Sequence, residues 1–270
     1  MARTEQDPGV RGRRQASRAP GRPLSNDPAQ APVVRDMGQG GVDARRGLLR
    51  GVPIFADLEP AAAAALERRI DVREFPAEAV VVSQEDPGDA LYVLERGKVK
   101  VVLYGESGRE IILSVFKRPG DFFGEMSLLD DEPRSATVLA TEPSRLLVLR
   151  RSDFQAHITA HPRTALRALT ELSRRLRRAD EVIGNLALLD VFGRLAGKLR
   201  ELAASEGEKV DGGVLIRERP TQAEIAAMIG TSRETVSRAL SEFARRGYLE
   251  MTGKRLMLRS GFLLGETDGA

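Results

Sequence analysis

The stretch PRTALRALTELSRRLRRADEVIGNLALL, running from Pro162 to Leu189, decides how the rest of the chain is read. Ala165, Leu169, Leu172, Leu176, Ala179, Ile183 and Leu186 follow one another in alternating steps of four and three. That spacing predicts one long helix carrying the narrow a/d seam of a coiled coil. Pro162 suits a first helical turn, and only Gly184 weakens the interior. Arg174, Arg175, Arg177 and Arg178 lie off the seam, where they are expected to be solvated or paired. A helix packed on its own domain would need a broader apolar face, so the seam predicts a two-fold dimer. Asp190 falls where the next seam residue would be. It ends the stripe and suits the N-cap of a following helix, which places a hinge there.

Downstream of that hinge lie two short helices joined by a glycine. Thr221 followed by Glu224 has the pattern of a capping box, opening a helix with Ile225, Ala226, Met228 and Ile229 on its apolar side. Gly230 makes the turn. Thr231-Ser232-Arg233-Glu234 opens the second helix, again in a box-like pattern, and Gly247 stops it. This is a helix-turn-helix with Arg233, Glu234 and Arg238 at the front of its second helix. Tyr248–Met251 and Arg255–Leu258 flank Thr252-Gly253-Lys254 as a hairpin wing. Arginine can donate two hydrogen bonds to guanine, and glutamate can accept from cytosine, so these residue types suit base reading. An ordinary helical hairpin with solvated charges is the plainer alternative.

Upstream, the period changes from helical to two. Short β-rich runs are expected at Asp71–Phe75, Ala79–Val82, Leu91–Leu94, Lys98–Tyr104, Glu110–Phe116, Ser135–Ala140 and Arg145–Leu149. Turn signals at Pro87-Gly88, Gly97, Gly105–Gly108 and Pro119-Gly120 separate them. Many short strands so punctuated predict a jelly roll. Within it, GDFFGEMSLLDDEPRSAT (Gly120–Thr137) combines a glycine before a short helix, Glu125–Leu129, with Arg134 and Ser135. Free N–H groups at such a turn, a guanidinium and a hydroxyl suit a phosphate, and Glu125 suits a sugar hydroxyl. A buried Glu125–Arg134 ion pair is the structural alternative. Met1 to about Arg46 is rich in Pro, Gly and Arg without apolar periodicity and reads as a disordered basic tail. A start at Met37 fits the same composition.

The 270 residues, 42 of them basic and 39 acidic, give a net charge of +3, which permits nucleic-acid binding without requiring it. There is no cysteine, and His157 and His161 are the two histidines. That composition excludes disulfides, thiolate-held clusters and a histidine-rich zinc site, so no metal, haem or iron–sulfur cofactor is expected. No apolar run reaches membrane-spanning length, and no catalytic constellation is visible. A cytoplasmic protein follows from this reading.

Phe123-Gly124-Glu125-Met126-Ser127, Pro133-Arg134-Ser135-Ala136, Gly184-Asn185-Leu186-Ala187 through Asp190-Val191, and Ser232-Arg233-Glu234-Thr235-Val236 with Arg238 together resemble a CRP/FNR-family transcription regulator, near the cyclic-AMP receptor branch. The resemblance spans about Val52 to Leu258. It implies an α+β chain in which, after the compositional tail over 1–46, come a jelly-roll sensor over 47–161, a dimerisation helix over 162–189 and a winged helix-turn-helix over 190–270. The ligand site it implies comprises Gly124, Glu125, Met126, Arg134, Ser135, Ala136 and Arg175. Glu125 would take the ribose 2′-hydroxyl, Arg134 and Ser135 the cyclic phosphate. Arg233, Glu234 and Arg238 would read bases in a palindrome with TGTGA-like half-sites, while Thr221 and Ser232 would hold phosphates. The implied partners are double-stranded DNA, a second copy of the chain and RNA polymerase.

Two departures stand out. Ala179 and Asp180 occupy the positions where the cyclic-AMP receptor has a Thr and a Ser to hold the base. That leaves cyclic AMP ahead and cyclic GMP open as ligand. Ala223 replaces a phosphate-contacting Gln. A nucleotide-independent DNA binder with a vestigial pocket is the nearer alternative, and a cyclic-nucleotide enzyme the remote one.

Overall fold

The computed structural model describes residues 33–34 and 49–264. The sensor portion is a two-sheet jelly roll. Its strands are β1 (Val33–Val34), β2 (Ile70–Phe75), β3 (Val80–Val82), β4 (Ala90–Arg96), β5 (Val99–Tyr104), β6 (Glu110–Phe116), β7 (Phe122–Phe123), β8 (Thr137–Ala140) and β9 (Ser144–Arg150). One sheet has the order β1-β2-β9-β4-β7 and the other β3-β8-β5-β6. The expected runs fall within a residue or two of these strands. The two-residue β7 escaped because it is too short to show a period. β1 corrects the reading of the tail, since Val33 and Val34 pair with Glu74 and Arg73 of β2. The remainder of the tail, Met37 included, lies outside the described residues.

The central strands are buried on both faces. Leu147 and Leu149 of β9 pack with Leu91 and Val93 of β4 beneath Phe55, Phe154 and Ala168. Leu146 and Val148 alternate with them and line the barrel interior with Tyr92, Leu94 and Phe123. This dual burial explains why β4 and β9 read as continuous apolar runs rather than as alternating ones. The covering helices are α1 (Pro60–Glu67), α3 (Arg151–Ala160) and α4 (Pro162–Leu188), and the short α2 (Met126–Asp130) sits in the pocket stretch. α4 buries Thr164 and Ala168, yet Leu169, Leu176 and Ile183 are 59%, 64% and 63% exposed. The described chain therefore covers the face that carries Thr164, Ala168 and Arg175 and leaves most of the stripe bare.

After α4, Asp190 caps α5 (Val191–Glu206) by accepting from the Gly193 amide at 2.7 Å, as expected of that residue. β10 (Glu208–Val210), β11 (Gly213–Ile216), α6 (Gln222–Ile229), α7 (Arg233–Arg245), β12 (Leu249–Thr252), β13 (Arg255–Arg259) and α8 (Ser260–Leu264) complete a winged helix-turn-helix. Its sheet has the order β10-β11-β13-β12. No strand was expected over Glu208–Val210: the exposed residues of β10 show no apolar alternation and are ordered by pairing with β11. Leu195, Leu199, Ile225, Val236, Leu240, Leu256 and Phe262 form the core of this part.

The two parts touch. Ala227 and Met228 of α6 pack on Val102, Ile112 and Leu139, on the outer face of the β5–β6–β8 sheet. Around this apolar contact, Lys98 meets Glu224 at 3.9 Å, Lys117 pairs with Glu206, and Arg118 donates to the Ser205 carbonyl at 3.4 Å.

Candidate functional site: a closed anion pocket and an open reading head

Gly124 turns the chain between β7 and α2 at φ +85°. A Cβ there would lie 2.6 Å from Arg134 Nη1 and 3.0 Å from the Ala90 carbonyl, so only glycine admits the arginine. Arg134 is 3% exposed. Its Nη1 donates to the Gly124 carbonyl at 2.9 Å, and its Nη2 to the Ala90 carbonyl at 2.8 Å and to Asp89 at 3.4 Å. Arg134 Nε is buried without a partner.

Glu125 stands at the N-cap position of α2, without a side-chain capping bond, and is 2% exposed. Arg175 of α4 donates to its Oε1 at 2.7 Å and to the Phe122 carbonyl at 2.8 Å. Glu125 Oε2 is buried and unpartnered. Burial raises the Glu125 pKa, and the Arg175 charge only partly opposes that shift. Glu125 and Arg134 do not pair with each other among the described contacts: each has its own partners, which sets aside the ion-pair alternative. Ala136 is buried, whereas Met126 and Ser135 are exposed. Ala179 and Asp180 are exposed on α4. In one chain they stand apart from the pocket.

The reading head contrasts with this closed pocket. Thr221 and Glu224 form a full capping box, with Thr221 Oγ1 accepting from the Glu224 amide at 3.2 Å and Glu224 Oε2 accepting from the Thr221 amide at 2.7 Å. Burial alone would raise the Glu224 pKa, but the Thr221 hydrogen bonds and the Lys98 charge outweigh it and hold it down. Gly230 adopts φ +68° at the turn between α6 and α7. Ser232, not Thr231, caps α7, accepting from the Thr235 amide at 3.2 Å. The box expected from Thr231 to Glu234 is thus corrected by one residue. Its third helical residue is Thr235, which offers no carboxylate to close the box. Val236, Ala239, Leu240 and Phe243 bury one face of α7 and leave Arg233, Glu234 and Arg238 on the exposed side.

The family model described as cyclic nucleotide-binding domain matches residues 72–161, and the Crp-like helix-turn-helix domain matches residues 193–260. A "CRP-like cAMP-activated global transcriptional regulator" from Mycobacterium tuberculosis is 36% identical over 78% of this chain and 94% of its own length. The chain belongs to the CRP/FNR family of transcription regulators. The "Cyclic AMP receptor protein" of Thermus thermophilus is 35% identical over 81% of this chain and 97% of its own. Among solved structures, the "c-di-GMP Responsive Global Regulator CLP" of Xanthomonas campestris is similar at TM-score 0.66 and 25% identity, covering 75% of this chain and all (100%) of that one. The relatives and both matched domains of this CRP/FNR-family chain are those of DNA-binding regulators, not of enzymes. Among the described residues, no helix is long and apolar enough to cross a membrane.

Several residues around the pocket were not singled out from the sequence. Asp89 and the Ala90 carbonyl reach Arg134 only through the fold. Glu171 approaches Arg175 at 3.7 Å, an i,i+4 spacing that was legible along the helix. Phe122 lies inside the quoted pocket stretch, and the Arg175 guanidinium sits 4.6 Å from its ring centroid.

Proposed function

We propose that this CRP/FNR-family regulator is a homodimer controlled by a cyclic nucleotide, cyclic AMP foremost, bound in the jelly roll beside α4. The observation that carries the reading is the pair of orphaned polar atoms in one pocket. Glu125 Oε2 and Arg134 Nε are both buried and both unpartnered. A buried donor or acceptor left unmade costs roughly 1–3 kcal/mol, more when charged, so each favours a ligand that completes it. A ribose hydroxyl suits the carboxylate and a cyclic phosphate suits the guanidinium, with Ser135 and the amides near Gly124, Met126 and Ala136 assisting.

The relatives named for cyclic AMP favour that nucleotide, and the similarity to a cyclic-di-GMP-responsive regulator keeps guanine ligands in the test. The bare stripe on α4 pairs with its copy across a two-fold axis. This positions Ala179 and Asp180 at the shared face, and α7 of each copy enters a major groove about one turn, ~34 Å, from the other. Thr221 and Ser232 hold phosphates, and Arg233, Glu234 and Arg238 read bases. This arrangement divides the chain at 161 and 189, with the sensor drawing one strand, β1, from ahead of residue 46. The protein acts in the cytoplasm, with RNA polymerase as the partner it recruits or blocks.

Isothermal titration of the protein with cyclic AMP, cyclic GMP and cyclic di-GMP tests the reading, combined with operator binding with and without each. Saturable binding of one of them at one site per chain, with a change in operator affinity, is expected. Operator binding that is tight and indifferent to all three would instead mark a nucleotide-independent regulator.

A further inference from the structure

The inside of the barrel holds a run of parallel rings that ends at the pocket. Tyr92 and Phe123 stack at 5.2 Å with their planes 5° apart. Phe123 and Phe116 stack at 5.9 Å with planes 7° apart. Both ends carry an arginine already placed at the pocket. The Arg134 guanidinium lies 5.7 Å from the Tyr92 centroid, and that of Arg175 lies 5.6 Å from the Phe116 centroid. Tyr92 and Phe123 are 3% and 4% exposed, so they serve the core. Phe116, at the Arg175 end of the run, is only half-buried.

Sugar chemistry fixes which part of a nucleotide would come to that end. The carbon bearing the 2′-hydroxyl is bonded directly to the carbon bearing the base. A hydroxyl oxygen held by Glu125 is therefore three bonds from the base nitrogen, which brings the base close to the place where Arg175 meets Glu125 at 2.7 Å. Two rings lie beside the Arg175 guanidinium there: Phe122, at 4.6 Å, is 3% exposed, and Phe116, at 5.6 Å, is half-buried, so of the two Phe116 has surface left to offer. The Arg175 guanidinium, itself planar, occupies the space over the ring in this structure.

We propose that Phe116 is the platform on which the base of the bound nucleotide stacks, in the place over the ring that the Arg175 guanidinium takes here. The assignment rests on the nucleotide reading of the pocket. A ring offers stacking area but no hydrogen bond, so it favours purines over the smaller pyrimidines and treats adenine and guanine alike. Phe116 thus sets the purine class, and the choice within that class falls to other groups. Because Phe123 and Tyr92 lock the ring from behind, its orientation is set before the ligand arrives and little side-chain freedom is lost on binding.

The test is titration of wild type, Phe116→Leu and Phe116→Tyr with cyclic AMP, cyclic GMP and cyclic CMP, each variant first checked for an unchanged melting transition. Phe116→Leu should weaken both purine nucleotides about tenfold and cyclic CMP by less than about threefold, while Phe116→Tyr retains wild-type affinities. Equal losses for all three nucleotides would reduce Phe116 to a packing residue, and unchanged purine binding would put the base elsewhere. Either result overturns the platform and leaves the nucleotide reading standing. A wild type that binds no nucleotide would overturn both. Should Phe116→Leu fail to fold, Phe116→Tyr against Phe116→Met carries the same comparison.

Discussion

The pocket and the reading head use the same residue types, a glutamate and arginines, in opposite surroundings. Glu125 and Arg134 are 2% and 3% exposed, whereas Glu234, Arg233 and Arg238 stand in solvent. Folding has already stripped water from the first pair, and each of the two is left one polar atom short. The second set keeps its water until a partner displaces it. A desolvated charge discriminates sharply among ligands and is little affected by salt; a solvated one steers association and is screened within about 10 Å at ordinary ionic strength. The pocket should therefore respond to ligand chemistry, and the reading head to ionic strength and DNA sequence.

The largest effect should come from the element joining the two regions. Leu176→Glu places a charge in the bare stripe of α4, where Leu176 is 64% exposed in one chain. Burying an unpaired charge is costly, so the variant should sediment as a monomer and bind a palindromic operator about a hundredfold more weakly. A variant that stays dimeric would put the interface elsewhere and leave the two regions unconnected through α4.

Next in size is the pocket itself. Arg134→Ala removes a buried charge-assisted donor worth about 1.5–3 kcal/mol, so nucleotide affinity should fall tenfold or more in titration. Ligand-free operator binding should barely change. Loss of both together would erase the distinction between the two regions.

Burial also predicts a pH response where no exposed group would give one. His157 is 8% exposed, at 3.3 Å from Thr164 and with its ring 4.6 Å from that of His161. Burial, aided by the neighbouring His161, lowers its pKa to about 4. A histidine depressed in the folded state contributes its full stability above its unfolded pKa near 6.5 and loses it as pH falls towards 4. Between pH 7 and 5 the loss should be ~2 kcal/mol, read as a fall in melting temperature that His157→Gln reduces.

Arg238→Ala should cost about 1–2 kcal/mol on the preferred operator and relax preference at a single base pair, measured by binding selection. The loss should be larger at low salt, while the Arg134→Ala effect on nucleotide should not depend on salt. The smallest effect belongs to the contact between the regions. Lys98 and Glu224 are partly exposed and 3.9 Å apart, so Lys98→Ala should change stability by under about 1 kcal/mol. A larger change would mean that the sensor sheet helps to hold the reading head in place.

The sequence by itself determined what depends on local spacing. The four-three stripe from Ala165 to Leu186 set a long helix, and the Thr221–Glu224 box and Gly230 set two helices and their turn. Alternation with regular turns set most of the strands. Each is a rule acting over a few residues, so the chain order suffices to read it. Strands β7 and β10 fell outside such rules because one is too short and the other too polar, and pairing alone orders them. The cap of α7 slipped by one residue for a related reason: Thr231 and Ser232 are both able caps, and only the backbone path decides between them.

The tertiary structure decided what depends on burial and distant partners. That Arg134 is held by the carbonyls of Gly124 and Ala90, and not by Glu125, follows from β4 passing beside the Gly124 turn. That Ala179 and Asp180 are exposed in the single chain was not legible from helical spacing, because Ala179 lies one turn beyond Arg175 on the same face, and Arg175 still reaches Glu125. The stack of Tyr92, Phe123 and Phe116 joins residues of β4, β7 and β6, which no periodicity links. Desolvation is a property of the whole packed chain, so only the fold could tell which glutamate and which arginine would be left incomplete.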